Sequence, residues 1–188
     1  MISVHNLYTP RTSAEENSIL NSVLAQVSSE EKSTPETPPA AKPVQWRLPG
    51  FEGKCRVATN FGDLPIEALR KRDMVRTLSG AYREVKWVDA IRLDVEFLER
   101  HPEAAPVQLQ PKSLAGAFPR ETMLVSPGQS ICAPRDGGSN SVMRAGDLLS
   151  RPNIMRAQRA EVTYYRFHCG QNEIISIGGG WFATGPED

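Results

Sequence analysis

From residue 46 onward the chain is a succession of short apolar runs rich in valine, isoleucine, threonine and aromatic side chains, each cut off by turn residues. The runs fall at residues 55–59, 74–78, 82–91, 107–110, 123–126, 130–133, 162–168 and 173–177, with Asn60-Phe61-Gly62, Ser79-Gly80 and Asp136-Gly137-Gly138 among the separators. Segments this short and this β-branched, punctuated in this way, read as strands joined by hairpins. The domain is therefore expected to be all-β, with two helical interruptions. One spans residues 94–101, with Asp94 as N-cap and Pro102 as its stop, and the other residues 144–149. Trp46, Trp87 and Trp181 fall near the beginning, middle and end of this region. Large rings contribute disproportionately to burial in a small β core, so all three are expected to pack there, with Trp87 buried.

Residues 1–45 have a different texture and read as a mobile N-terminal tail. Within 13–27, Ile19, Leu20, Val23, Leu24 and Val27 recur at helical spacing behind the pair Ser13 and Glu16. That fits a short amphipathic helix or a transient one, since isolated helices under ~15 residues are marginal in water. Residues 28–43 replace large apolar side chains with proline, serine, threonine and glutamate, the composition of an extended linker. The expected division is a tail over 1–45 and a β domain over 46–188.

With 188 residues, 39% hydrophobic, and a net charge of zero, the chain suits one core and favours neither a disordered polyelectrolyte nor a nucleic-acid binder. Three cysteines, Cys55, Cys132 and Cys169, cannot complete a disulfide framework and lack zinc-site spacing. A reducing compartment follows. No secretion signal opens the chain and no apolar stretch approaches the ~18 residues of a membrane span, so a cytoplasmic location without membrane contact is expected. No phosphate loop, metal-ligand cluster or catalytic serine motif stands out, and no cofactor or metal is expected.

Residues 50–77, GFEGKCRVATNFGDLPIEALRKRDMVRT, carry a more specific pattern. Phe51, Ala58, Thr59, Gly62, Pro65, Ile66, Glu67, Leu69, Asp73, Val75 and Thr77 follow one another in the order found at the opening of bacterial Hedgehog/intein (Hint) domains, which this stretch resembles. Val85, Trp87 and Val88 continue the likeness, then Met123, Leu124, Val125, Ser126 and Pro127, then residues 162–177. The resemblance implies a Hint fold: a horseshoe-like pair of intertwined β subdomains with one or two short helices, here preceded by a flexible N-terminal tail.

It also implies a chemistry, and where its agents should stand. In the family the first residue of the domain, a cysteine or serine, attacks the preceding carbonyl, and a histidine protonates the departing nitrogen. By the resemblance the nucleophile's place is held by Gly50, the histidine's by Gln129, and that of a further histidine near the C-terminus by Asn172. Glycine offers no nucleophile, and a glutamine side chain cannot shuttle a proton at neutral pH.

Cys55 is the candidate substitute nucleophile, flanked by Lys54 and Arg56, although strand geometry turns those charges to the opposite face. His168 and Cys169 are a second candidate pair, adjacent and so also on opposite faces of a strand. The family arrangement would let Cys169 approach Cys55. A thiol-dependent or ligand-binding module using Cys55, His168 and Cys169 is one reading, and two further functions remain open at this level. One is a Hint domain without autoprocessing, kept as a structural module or one that binds a protein partner. The other is a working self-cleaving domain built on Cys55.

Overall fold

The computed structural model describes residues 45–134 and 140–186. The tail readings at residues 13–27 and 28–43, and the turn at Asp136-Gly137-Gly138, lie outside the described residues.

The described chain is nearly all β and forms two sheets. The six-stranded sheet has the order β11-β7-β8-β1-β12-β6, built from Ile154–Arg156, Val107–Leu109, Met123–Val125, Phe51–Glu52, Val162–His168 and Trp87–Leu93. The eight-stranded sheet runs β10-β9-β14-β13-β2-β4-β5, with β3 (Gly62–Pro65) paired to β2. Its other strands are Asn140–Arg144, Ser130–Pro134, Gly180–Thr184, Glu173–Ile177, Arg56–Thr59, Met74–Arg76 and Tyr82–Glu84. Along the sequence the chain starts in the first sheet, crosses to the second for β2–β5, returns for β6–β8, and crosses again after β8, β10 and β12. Repeated crossing intertwines the two sheets, so neither can form from one contiguous stretch.

The crossings also correct the strand assignment. Residues 82–91 form two strands in different sheets, because Val85 N–H donates to Asp73 O and Lys86 N–H to His168 O, carbonyls that lie beside different sheets. Alternation within the run carries no information about such a switch.

One α-helix, α1 (Val95–Arg100), stands where expected, with Asp94 Oδ1 accepting the Phe97 N–H at 2.9 Å as N-cap. Residues 144–149 are not an α-helix. Arg144 ends β10, and Ala145–Leu148 form a 3-10 turn whose first N–H groups donate to Gln129 O and Pro127 O, both at 2.9 Å. Those bonds satisfy donors that the start of any helical turn leaves open, and they anchor the turn to the 127–129 segment.

The main core is filled by branched aliphatics and phenylalanine, among them Val57, Ile66, Val75, Val125, Ile177 and Phe182. Phe51 meets Phe182 edge to face, with centroids 5.3 Å apart, and ties the first strand to the last. A smaller cluster gathers Leu93, Leu98, Ala104, Val162 and Tyr164, with Trp46 and Phe97 against it. None of the three tryptophans is fully buried, Trp87 contrary to expectation. Trp46 and Trp87 each direct a polar or planar face at a specific neighbour, described below.

Candidate functional site

Three of the crossings between sheets, at residues 85–87, 126–129 and 168–172, and the end of β14 border one cleft of about 560 Å³. Gly50, Gln129, Asn172 and His168 all line it. The three positions implied to be degenerate therefore converge, although 122 residues separate the outer two (172 − 50).

The segment entering the domain is fastened at this place. Ser126, fully buried, donates from its backbone N–H to Gly50 O at 2.8 Å and from its hydroxyl to Leu48 O. The same hydroxyl accepts from Trp46 Nε1 at 3.0 Å. Gly128 is required here by close approach. A Cβ on it would lie 2.2 Å from Arg47 O and 2.6 Å from Leu48 O, so the incoming backbone occupies the space of its missing side chain.

Gln129 is 1% exposed and makes three hydrogen bonds. Its Nε2 donates to Ser130 O at 3.0 Å and to Ala183 O at 2.9 Å. Two carbonyl acceptors fix the amide orientation, which leaves Oε1 to accept the Gly50 N–H at 3.1 Å. The side chain thus touches the nitrogen of the Pro49–Gly50 peptide bond and, at that contact, accepts a hydrogen bond.

At Gly50 itself, a Cβ would lie 2.7 Å from Tyr164 Cβ and 3.3 Å from Tyr164 Cγ. Tyr164 is held by β12 pairing on both sides and by its hydroxyl donating to Ala104 O at 2.8 Å. The volume that a nucleophilic side chain would need at this position is already filled. Asn172 packs against the chain just past the last strand: a Cβ on Gly185 would come 1.9 Å from its Oδ1.

The substitute candidates lie elsewhere or in the wrong state. Cys55 does not line this cleft. It is buried, its Sγ donates to Leu124 O at 3.4 Å, and burial, reinforced by Glu52, pushes its thiol up to about 12. Cys169 is half-buried, with its thiol pushed up to about 11 by burial and then by Glu173. Both are protonated at neutral pH, the opposite of an activated nucleophile. All three cysteines are free, so Cys169 and Cys55 are not joined.

His168 Nδ1 accepts the Gly170 N–H at 3.0 Å, and its ring stacks on Trp87 at 5.2 Å and 14°. Arg166 stands 5.2 Å from the Trp87 ring and donates to Asp89 Oδ2 at 2.6 Å, a bond that holds the Asp89 carboxyl below its usual range. Trp87 and Ser126, which sequence reading took for a core and a motif position, and Arg166, which it did not single out, all stand at this site. A tryptophan directly across from a histidine becomes visible only once the register Trp87↔His168 is known. Among the described residues no group of three His, Cys, Asp or Glu side chains is placed to hold a metal, and no helix is long and apolar enough to cross a membrane.

Two sheets that exchange strands, with the entering segment, the Ser-Pro-Gly-Gln turn and the last strand meeting in one cleft, define an intertwined two-sheet β domain. The chain belongs to the Hint domain family, whose model matches residues 49–184. Solved structures similar to it include the gp41-1 intein, 14% identical over 74% of this chain and 99% of that one, with a TM-score of 0.48. A bacterial intein-like domain from Clostridium thermocellum is 12% identical over 74% and 99%, with a TM-score of 0.47. The Ssp DnaB mini-intein variant M86 is 11% identical over 77% and 99%, with a TM-score of 0.46. No curated protein matches the chain.

Proposed function

We propose that this Hint domain does not cleave the Pro49–Gly50 bond and serves as a structural or protein-binding β module. The observation that carries the reading is the Gly50 N–H donating to Gln129 Oε1. Breaking a peptide bond by acyl shift needs a nucleophile on one side and a proton delivered to the departing nitrogen on the other. Gly50 has no nucleophile. The Gln129 oxygen can only accept, so it stabilises the planar amide with its N–H in place and leaves the barrier close to that of an ordinary peptide bond. The competing reading, self-cleavage through Cys55, is disfavoured by a buried, protonated thiol outside the cleft.

The test is the intact mass of the full chain during prolonged incubation with and without a reducing thiol. The mass stays constant under this reading. Release of a fragment ending at Pro49 refutes it.

A further inference from the structure

The cleft over the former cleavage position has a charge pattern that the loss of cleavage does not explain. Arg47, Arg144 and Arg166 line it, and among the described residues no aspartate or glutamate does. Arg166 is balanced by Asp89. Arg47 and Arg144 have no salt-bridge partner among the described residues, and Arg144 is half-buried. A guanidinium stays charged at any physiological pH, so its partial desolvation without a counter-ion leaves a standing attraction for an anion.

The position of Arg144 is also fixed. It is the last residue of β10, paired with Ser130 across the ladder, and it precedes the 3-10 turn anchored on Gln129 O. With the backbone mounted in this way, only the side chain has to order when its planar fork engages two oxygens. The Trp87–His168 stack lines the same cleft and supplies an aromatic wall. A volume of about 560 Å³ falls within the range of small-ligand sites, ~300–1,000 Å³.

We propose that this cleft binds a carboxylate carried on an apolar body, with Arg144 taking the carboxylate and the Trp87–His168 stack taking the apolar part. The inference rests on the non-cleaving reading, which leaves the cleft free for a ligand other than the chain's own reacting bond. A free organic acid and an acidic peptide share this chemistry, and the probes separate them.

Full-length protein is titrated with 4-phenylbutyrate, its neutral amide 4-phenylbutyramide, inorganic phosphate, and the peptide acetyl-Phe-Glu-amide. Binding is followed through the Trp87 indole N–H signal in NMR spectra. The expected result is saturable binding of 4-phenylbutyrate or the peptide, the tighter of the two marking the source. The amide should bind about tenfold more weakly or worse, the loss of one charge-assisted bidentate pair. Arg144→Gln should weaken the acid by a similar factor, Arg144→Lys by less, and Arg120→Gln, outside this cleft, not at all. Should Arg144→Gln unfold, Arg144→Lys carries the comparison. No saturable binding of either carboxylate overturns the proposal. So does equal affinity for the amide, phosphate binding as tight as phenylbutyrate, or unchanged affinity in both Arg144 variants. Intact mass is recorded on the same samples: failed binding with an unchanged mass removes this inference alone, whereas a fragment ending at Pro49 removes the non-cleaving reading.

Discussion

Restoring a side chain at residue 50 is the perturbation that tests the closed site most directly. In Gly50→Ala the new methyl is directed 2.7 Å from Tyr164 Cβ, well inside contact distance. The backbone at Gly50 has a φ of 158°, a value L side chains rarely adopt, so the neighbour and the conformation of the residue itself both oppose the methyl. Tyr164 cannot yield by a rotamer change, because the clashing atom is its own Cβ on a strand paired to both β1 and β6. Overpacking of this kind costs about 1–3 kcal/mol. Displacing Gly50 also stretches its bonds to Gln129 and Ser126, each worth about 0.5–1.5 kcal/mol. The expected loss is about 2–4 kcal/mol by urea unfolding, with faster amide exchange at Ser126 N–H. A variant within about 0.5 kcal/mol of the parent would refute the reasoning. The same geometry sets the fate of attempted repair: Gly50→Cys, Gln129→His and the double substitution are all expected to remain intact by mass in thiol. A fragment from the double variant would show that Tyr164 can make room.

Ser126→Ala leaves the Trp46 indole N–H and the Leu48 carbonyl without their partner, and is expected to lower stability by about 2–3 kcal/mol in urea, with faster exchange of the Trp46 indole N–H. A loss below about 0.5 kcal/mol would count against the fastening role of that hydroxyl. For Cys55, burial raises the folded thiol to about 12, above the ~8.5 of an unfolded one. Its contribution is therefore complete below ~8.5 and is lost as pH climbs towards 12. Urea midpoints between pH 8 and 11 should fall with pH, less steeply in Cys55→Ala; parallel profiles would contradict the buried-thiol reading. Trp87→Ala should cost about 1–2 kcal/mol, less than the ~3–5 kcal/mol of a core tryptophan, because one side of the ring faces the cleft. A loss in the higher range would place it in the core after all.

Much of the fold is written locally. Strands β12 and β13 begin and end at the residues their apolar runs mark, and Asp94 announces α1 through its capping chemistry. The strands that sequence reading misses have no such local signature. Phe51–Glu52 has only two residues, and Gly180–Thr184 is set by pairing with β13 and β9. The three positions that the resemblance groups, Gly50, Gln129 and Asn172, do line one cleft. What that cleft contains was not legible in the sequence. That Tyr164 fills the volume beside Gly50, or that the Arg144 side chain looks into the cleft, follows from strand register and sheet crossing. Neither is encoded near the residue concerned.

Gln129 joins parts of the chain that are far apart in sequence. One amide receives the N–H of Gly50 and gives its own to Ala183, so the first and last strands of the domain are held within the span of a single side chain. A domain whose entrance and exit are so close imposes almost no displacement on whatever is attached at either end. It can sit within a surface loop of another fold, or be circularly permuted through a short linker between its ends, without stretching its own sheets. Beside Gln129 the chain enters the domain at Gly50 and approaches its end at Ala183, so whatever flanks the domain is delivered and retrieved at nearly the same place.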